Sequence, residues 1–591
     1  MKAFLDKYQK RLKDFEEEFK KYSYLHPEQA GRLNLHDDVA PKDPYVERLI
    51  EAFIFLTGII DDRLDNAYLE FAQLLVEAIW PHYLYILPAA VIMELKPDLN
   101  KLSSIKKIDK GLVLSNMAEK KDIACKFSTC GPVYVRPIEL THVEKSVLKN
   151  GNNVLHFNFR KPSHVKWSKI GYEPMTIYLH GNSRTSLTWY QLLSKNLKSI
   201  KVSWNTLVNG EEQKSFDIKS LPIECFQPSI QKETSDYPLL PYPASSFDGY
   251  RLIEEYFHFP QKFRFFELDL FSKIDFSEST TSFQVSFELD QSDITIKPAL
   301  SNFKLHCIHA INLFKAQADP IHLDYHQPYD KISVDRANEE NYIPHHILKV
   351  MSNRIEIDKK NKEKRIEYKP FFSYRHESDQ MKNEYYHIKH QKGFDQRPEL
   401  FISIVNSRKS EETLSIDLMC CNDSELKKIR RGDINIPDQH GLEFIDFSNL
   451  TIPKSNSYQD NKKIDIWTLI EGLSLNYDSL SSTGNIKKLL SLHNRSQSEL
   501  NKSQINGILN ISSRPIRKYN KGGIINGVLL DVTLNENCYI NEGDMILFSS
   551  ILSKMMSMHS QINSICQLKV KGEKSNKEIY SCQSNGIKKT I

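Results

Sequence analysis

Two short runs concentrate side chains that can ligate metal. In His322-Leu323-Asp324-Tyr325-His326, strand alternation places His322, Asp324 and His326 on one face, a hard-and-borderline ligand set suited to zinc. His306-Cys307-Ile308-His309 offers a softer set. Neither run has a second His or Cys cluster at a defined distance, and Pro320 and Pro328 flank the first as strand-end signals. The expectation is therefore hydrogen-bonded histidines and no metal. Gly522-Gly523-Ile524-Ile525-Asn526-Gly527 is glycine-rich, but it lacks the lysine of a phosphate loop and precedes a strand. Gly181-Asn182-Ser183-Arg184 lacks the second glycine of a nucleophile elbow, and His376-Glu377 lacks the second histidine of a zinc protease. Carboxylates are scattered, with no acid–base pair singled out. Trp167, Trp189 and Trp204 could line a sugar cleft, although tryptophans at strand positions more often fill cores. The reading expects no catalytic residue, no metal and no cofactor: a structural protein and not an enzyme.

The elements that would position such side chains begin with helices. Phe4, Tyr8, Leu12, Phe15, Phe19 and Tyr22 recur at spacings of four and three, one stripe of an amphipathic helix. Glu16 and Lys20, and Glu17 and Lys21, stand at the supportive i, i+4 spacing on its polar side. The stripe either packs within its own domain or forms a seam with another chain. Asp43-Pro44 opens a second helix, with Val46, Leu49, Ile50, Phe53, Ile54, Thr57, Ile60 and Leu64 as a broad apolar face. A third spans Asn66 to Trp80, where Pro81 stops it.

From Pro88 onward the period changes to two. Expected strands are Ala90–Leu95, Ile123–Phe127, Val133–Leu140, Val154–Phe159, Met175–Leu179, Ile200–Trp204, Phe263–Leu270 and Phe283–Leu289, interrupted by helices near 185–196 and 249–257. The polar stretch 426–463 reads as an exposed boundary. Beyond it come short helices at 464–475 and 486–492, a strand at 524–534, a helix at 542–558 and two closing strands. The fold class is α+β, and not a regular βαβ alternation. The expected partition is a helical N-terminal region (1–85), a β-rich domain (86–245), a second β-rich α+β domain (246–425), the boundary region (426–463) and a mixed α/β C-terminal domain (464–591).

Composition narrows the function. Lys+Arg is 79 and Asp+Glu 75 over 591 residues, too even a balance for a dedicated nucleic-acid binder. The most hydrophobic run, 53–60, ends at Asp61-Asp62, short of the roughly 20 residues a bilayer requires. Charges begin at Lys2, so no secretory signal is expected. None of the nine cysteines forms a Cys-x-x-Cys pair, which fits reduced thiols in a cytoplasmic protein.

A set of motifs in order along nearly the whole chain carries a resemblance. They include Tyr22-Ser23-Tyr24-Leu25-His26-Pro27, Asp43-Pro44-Tyr45-Val46-Glu47-Arg48-Leu49, Trp80-Pro81-His82-Tyr83-Leu84 and Tyr178-Leu179-His180-Gly181. Leu240-Pro241-Tyr242-Pro243 and Phe247-Asp248-Gly249-Tyr250-Arg251-Leu252 follow, the latter leading into Glu255-Tyr256-Phe257. Asn312-Leu313-Phe314, Pro370-Phe371-Phe372-Ser373, Leu473-Ser474-Leu475-Asn476-Tyr477 and Ser512-Ser513-Arg514-Pro515 complete it. The chain resembles the TssF family (also called ImpG or VasA), a baseplate subunit of the bacterial type VI secretion system that is itself similar to wedge proteins of contractile phage tails. It departs from the family pattern at Tyr85-Ile86, where a basic residue is expected, and at Gly131. Residues 352–366 and 426–463 match poorly.

The resemblance implies assembly and not catalysis. Its implied partners are a TssG-like subunit and a second copy of this chain in one wedge, then TssK- and TssE-like baseplate subunits, spike and sheath. It implies no nucleic acid, and contact with the inner membrane only through partner proteins at the docked baseplate. A phage-derived contractile-tail baseplate protein is the near alternative; a β-rich glycan-binding protein or hydrolase is a more distant one.

Overall fold

The computed structural model describes residues 81–116, 123–205, 216–231, 237–242, 246–290, 296–357, 363–371, 384–393, 397–405, 411–457, 482–496, 498–520, 523–560 and 564–585, with helical stretches at 51–58 and 74–77 and isolated helical positions upstream. The chain divides into two units, one of residues 1–83 with 461–466 and one of residues 84–460 with 467–591.

In the first unit, the described positions 9, 13, 14, 17, 18 and 21 are helical and exposed. They are Gln, Lys, Asp, Glu, Glu and Lys, the polar positions between the stripe residues. Phe4, Tyr8, Leu12, Phe15, Phe19 and Tyr22 themselves lie outside the described residues. In the second helical stretch Ile54 is buried, but Phe53 and Leu56 are each 58% exposed and Ile60 55%. Of the apolar face read from the sequence, Phe53 and Ile60 are thus left exposed; Leu56 lies off that face.

The second unit is built of sheets. A six-stranded sheet runs in the order Ile434–Pro437, Val113–Asn116, Lys126–Thr129, Cys307–Ile311, Ala90–Pro97, Ile445–Asn449. Ala90–Pro97 is buried on both faces over its first six residues, five of them apolar and one Glu94, which pairs with Lys304 at 3.1 Å. Val91, Met93 and Leu95 enter one core with Phe127, Ile434 and Phe447; Ala90 and Ile92 enter another with Tyr178, Phe265 and Leu313. A five-stranded sheet follows the order Phe216–Leu221, Leu197–Asn205, Ser282–Leu289, Asn153–Arg160, Glu139–Val147. Phe157, Phe159, Val285 and Phe287 point inward, while His156, Ser286, Asn158 and Gln284 bond to one another on the other face. An eight-stranded sheet spans residues 314–422, with Val350, Tyr368, Ile402, Leu414, Ile416 and Leu418 as its core. At the C-terminal end, Ile508–Asn520, Gly523–Leu534, Ile565–Gly572 and Glu578–Asn585 form a four-stranded sheet against the helix Glu542–His559.

Several sequence expectations change, among them the strand at 123–127, which shifts to Lys126–Thr129. The single strand at 133–140 is two, Val133–Val135 and Glu139–Val147, because Pro137 breaks the ladder between them. The strand at 263–270 shortens to Phe265–Leu268, since Pro260–Phe263 coils as a 3₁₀ turn. The largest correction concerns the boundary region. Far from being an exposed loop, residues 426–457 supply two strands of the six-stranded sheet and bury Leu426, Ile429, Ile434, Leu442, Ile445 and Phe447. Their polar neighbours alternate outward, which lowered the average hydrophobicity without removing the strand pattern. This sheet also crosses the expected divisions at 245 and 425, since it takes strands from 90–129, 307–311 and 434–449.

Candidate functional site: a buried charged helix

The helix Asp248–His258 is buried at every position from Gly249 onward, including Arg251, Glu254, Glu255 and His258. A helix with ionisable groups on a dry surface is stable only if each group finds partners, since desolvating a charge costs several kcal/mol. Here Glu255 receives four donors: the backbone N–H groups of Leu239 (2.8 Å) and Leu240 (3.0 Å), the Arg251 guanidinium (3.2 Å) and the Lys262 ammonium. Glu254 accepts from Arg495 at 2.7 Å and from the Tyr242 hydroxyl. Burial, with Glu254 alongside, pushes the Tyr242 phenol well up. His258 donates from Nε2 to the Pro88 carbonyl at 2.7 Å, and its burial lowers its pKa to about 4.

Other segments dock on the same helix. Asn501 donates to the Phe257 carbonyl at 3.0 Å. Gln504 donates to the Tyr256 hydroxyl at 3.2 Å and to both Asp544 oxygens at 3.0 Å, yet burial still raises Asp544 above the usual carboxylate range. At the helix start, a Cβ on Gly249 would lie 2.3 Å from the Phe247 ring, which packs on Tyr250 and His559. The Phe-Asp-Gly-Tyr-Arg motif is therefore a packing and charge-pairing device. Its charges gather segments near 85–88, 239–242, 494–504 and 544 around one helix. The sequence signal was available: ionisable residues between 248 and 262 stand in a run dense in aromatics with no polar face.

The residues singled out from sequence fall elsewhere. The strand Ile321–Leu323 ends before Asp324, and Tyr325 adopts φ 58°, so alternation stops and His322, Asp324 and His326 do not share a strand face. The Asp324 carboxylate instead accepts the His326 backbone N–H at 3.0 Å. His306 also has positive φ (51°) and turns the chain between the strands Phe303–Leu305 and Cys307–Ile311, which belong to different sheets. Its Nε2 accepts the Arg136 backbone N–H at 3.2 Å, and burial lowers its pKa to about 3. His309 Nε2 bonds the Tyr237 carbonyl at 3.0 Å. A cavity of about 260 Å³ lies at this corner, lined by Arg136, Glu173, Lys262 and Glu267 among apolar walls. Arg136 is turned to the Ile170 and Glu173 carbonyls and Lys262 to Glu255. Among the described residues no group of three His, Cys, Asp or Glu side chains is close enough to hold a metal.

Asn182 caps the helix Ser183–Lys195 by accepting the Thr185 N–H at 2.8 Å, and Gly523–Gly527 runs as strand. Trp189 is fully buried, and Trp167 and Trp204 both pack on Phe276. His376-Glu377 lies outside the described residues. The departures from the family pattern have local reasons. Tyr85 stacks on His346 (5.3 Å) and faces His345 and His390, filling an aromatic cluster. Gly131 leaves room for the Tyr237 ring, which a Cβ would meet at 2.5 Å.

The comparisons with known proteins agree with this arrangement. The family described as Type VI secretion system, TssF, matches residues 1–587. The type VI secretion system component TssF1 of Pseudomonas aeruginosa is 25% identical, covering 96% of this chain and 97% of that protein. A chain in the structure of the type VI secretion system TssK-TssF-TssG baseplate subcomplex superposes with a TM-score of 0.76 at 23% identity, covering 92% of this chain and 99% of that one. A chain of a baseplate complex from the type VI secretion system gives 0.61 at 20% identity, covering 99% and 100%. With a family match running almost end to end over a fold shared with those chains, this protein belongs to the TssF family of the type VI secretion system.

Proposed function

We propose that the chain is a structural component of the type VI secretion baseplate and not an enzyme. The observation that carries this is the near end-to-end family match, set beside an interior whose converging charges are spent on joining chain segments. On this reading it assembles with a TssG-like subunit and a second copy of itself in a wedge, and then meets TssK- and TssE-like subunits, the spike and the sheath. Support for the first of these partners comes from the solved baseplate subcomplex, in which a chain of the same fold occurs with TssK and TssG.

The seam with the TssG-like subunit is the stripe Phe4, Tyr8, Leu12, Phe15, Phe19 and Tyr22. Supporting it, the neighbouring helical stretch of the same unit leaves Phe53, Leu56 and Ile60 more than half exposed. Apolar helix faces of this kind are completed by a partner helix, which couples assembly to folding. Among the described residues no helix is long and apolar enough to cross a membrane. The protein works in the cytoplasm and reaches the inner membrane through its partners. Affinity purification from the native cell tests the proposal: a TssG-like protein should co-purify, and its absence from a stable, purified complex would overturn the reading.

A further inference from the structure

The segment Tyr85–Ala89 carries the chain from the first unit, which ends at Tyr83, into the strand Ala90–Pro97. It belongs to no sheet ladder beyond one isolated bridge, yet each of its five carbonyls accepts a hydrogen bond, each from a different residue. The Arg495 guanidinium donates to Tyr85 O. His345 Nε2 donates to Ile86 O at 3.0 Å. Leu87 and Ser457 exchange both backbone bonds, at 3.1 and 3.0 Å. His258 Nε2 donates to Pro88 O at 2.7 Å. The Asn312 backbone N–H donates to Ala89 O at 2.8 Å, and the Ala89 N–H donates to Asn456 Oδ1 at 3.0 Å. Ile86, Leu87, Pro88 and Ala89 are buried.

Irregular backbone in a dry interior must find partners somewhere. What is unusual here is their source. An ordinary strand end would satisfy its carbonyls from one neighbouring strand, and could be peeled from it one bond at a time. These anchors come from well-separated parts of the chain, near 258, 312, 345, 456 and 495. Four are side chains, three on carbonyls and Asn456 on the Ala89 N–H, and they have little freedom to follow displaced backbone. His345 is held by His346, with the two Nδ1 atoms 2.7 Å apart; Arg495 is held by Glu254; Asn456 Nδ2 donates to the Asn422 carbonyl at 2.8 Å. Displacing the segment along its length therefore strains all the anchors together. The bridge to Ser457 adds a second tie, because the chain passes back to the first unit at Asn461.

We propose that Tyr85–Ala89 is a mechanical clamp, which makes the β-rich unit bear load applied to the N-terminal unit without the joint paying out chain. Its use in a contracting machine rests on the assembly role proposed above; the clamp itself does not.

The test uses the full chain. Hydrogen exchange read by mass spectrometry should show a peptide covering residues 84–90 protected to the same degree as the strand that follows. In the double variant His345→Ala/Asn456→Ala, its exchange should accelerate by roughly tenfold or more, since the buried Ile86 carbonyl loses its donor and the buried Ala89 N–H its acceptor. The peptide within Val91–Leu95 should hold its protection. His345→Gln, whose amide can still donate, should restore most of it. In single-molecule pulling from the two termini, the same double variant should release the segment at a lower force than wild type, with the later sheet-unfolding forces unchanged. Equal exchange in wild type and double variant, or equal rupture forces, would overturn the clamp. Exchange that accelerates alike across the whole unit would overturn it too, because the anchors would then serve general stability. These readouts require no partner, so their failure leaves the assembly reading standing; loss of the TssG-like partner would leave the clamp standing.

Discussion

Arg495 and Glu254 meet at 2.7 Å with both side chains 1% exposed, 241 positions apart in the chain. The pair joins the central helix to the segment between two C-terminal helices. Arg495 extends it to the Tyr85 carbonyl, and Tyr242 completes the carboxylate.

Removing one member of this pair should be far more damaging than removing both. Arg495→Ala leaves a dry carboxylate facing a void, and is expected to cost about 3–5 kcal/mol. The double substitution Arg495→Met/Glu254→Gln should recover a large part of that. Urea unfolding of the three proteins measures it, and equal losses in the single and double variants would contradict it.

Acid should destabilise the second unit through its histidines. Burial lowers His258, His346 and His390 to about 4 and His306 and His493 to about 3; His345 is also held well down, by burial and by the neighbouring His346. Below the ordinary histidine pKa the unfolded chain takes up protons that the folded chain refuses. Stability is then unaffected above about pH 6.5, falls as pH drops through about 4, and levels only below about pH 3, once His306 and His493 are protonated in the folded chain. Asp544 and Asp330, whose folded pKa values are raised, act in the opposite sense but are fewer than these histidines. A shift of two pKa units is worth about 2.7 kcal/mol per site, so a few such histidines rival a domain's whole margin. Denaturant midpoints measured from pH 8 to pH 4 should fall mainly in the lower half of that range; a flat profile would refute the expectation.

The N-terminal stripe can be separated from the rest by charge. Leu12→Asp/Phe15→Asp places two carboxylates in the proposed seam, at a cost of several kcal/mol there. Co-expression should show the TssG-like partner lost, while circular dichroism retains the β-rich signal. Normal partner binding would remove the stripe from the interface, and global unfolding would make it an intramolecular core.

Gly543 sets the approach of two helices. A Cβ at that position would lie 1.9 Å from the Leu187 carbonyl oxygen, a backbone atom that cannot rotate away. Gly543→Ala should force the helices Glu542–His559 and Ser183–Lys195 apart, destabilising by roughly 1–3 kcal/mol. Thermal unfolding against Gly484→Ala, where a Cβ meets nothing within 4 Å, isolates the contact from helix propensity.

What the sequence disclosed follows from how local each feature is. Met175–Leu179 and the helix Glu542–His559 were legible because largely buried runs of five and eighteen residues are told apart as strand and helix by their length. Sheet partnership was not legible. Nothing in Ile434–Pro437 or Ile445–Asn449 states that their neighbours lie near 93 and 114, and their polar flanks made them look like a boundary. Likewise Glu254, Glu255 and Arg495 carry no local sign that they meet, because ion pairing across hundreds of positions is a product of the completed fold. The His322–His326 cluster failed as a site for a local reason that sequence does not expose: the left-handed Tyr325 between its members.

The order of strands in the six-stranded sheet also governs when the protein can finish folding. Ile92 donates its N–H to Thr451 across 359 positions, and the outer strand Ile445–Asn449 closes on Ala90–Pro97. At about 5–20 residues synthesised per second, the early strand waits roughly 20–70 s at the ribosome before its last neighbour exists. During that interval the unpaired backbone edge of Ala90–Pro97, beside the apolar face of Val91, Met93 and Leu95, is an adhesive surface, open to neighbouring nascent chains. Slower translation would lengthen that exposure and lower temperature would weaken the attraction that drives it. The yield of folded protein should therefore depend on how the chain is chaperoned while its second half is still being made.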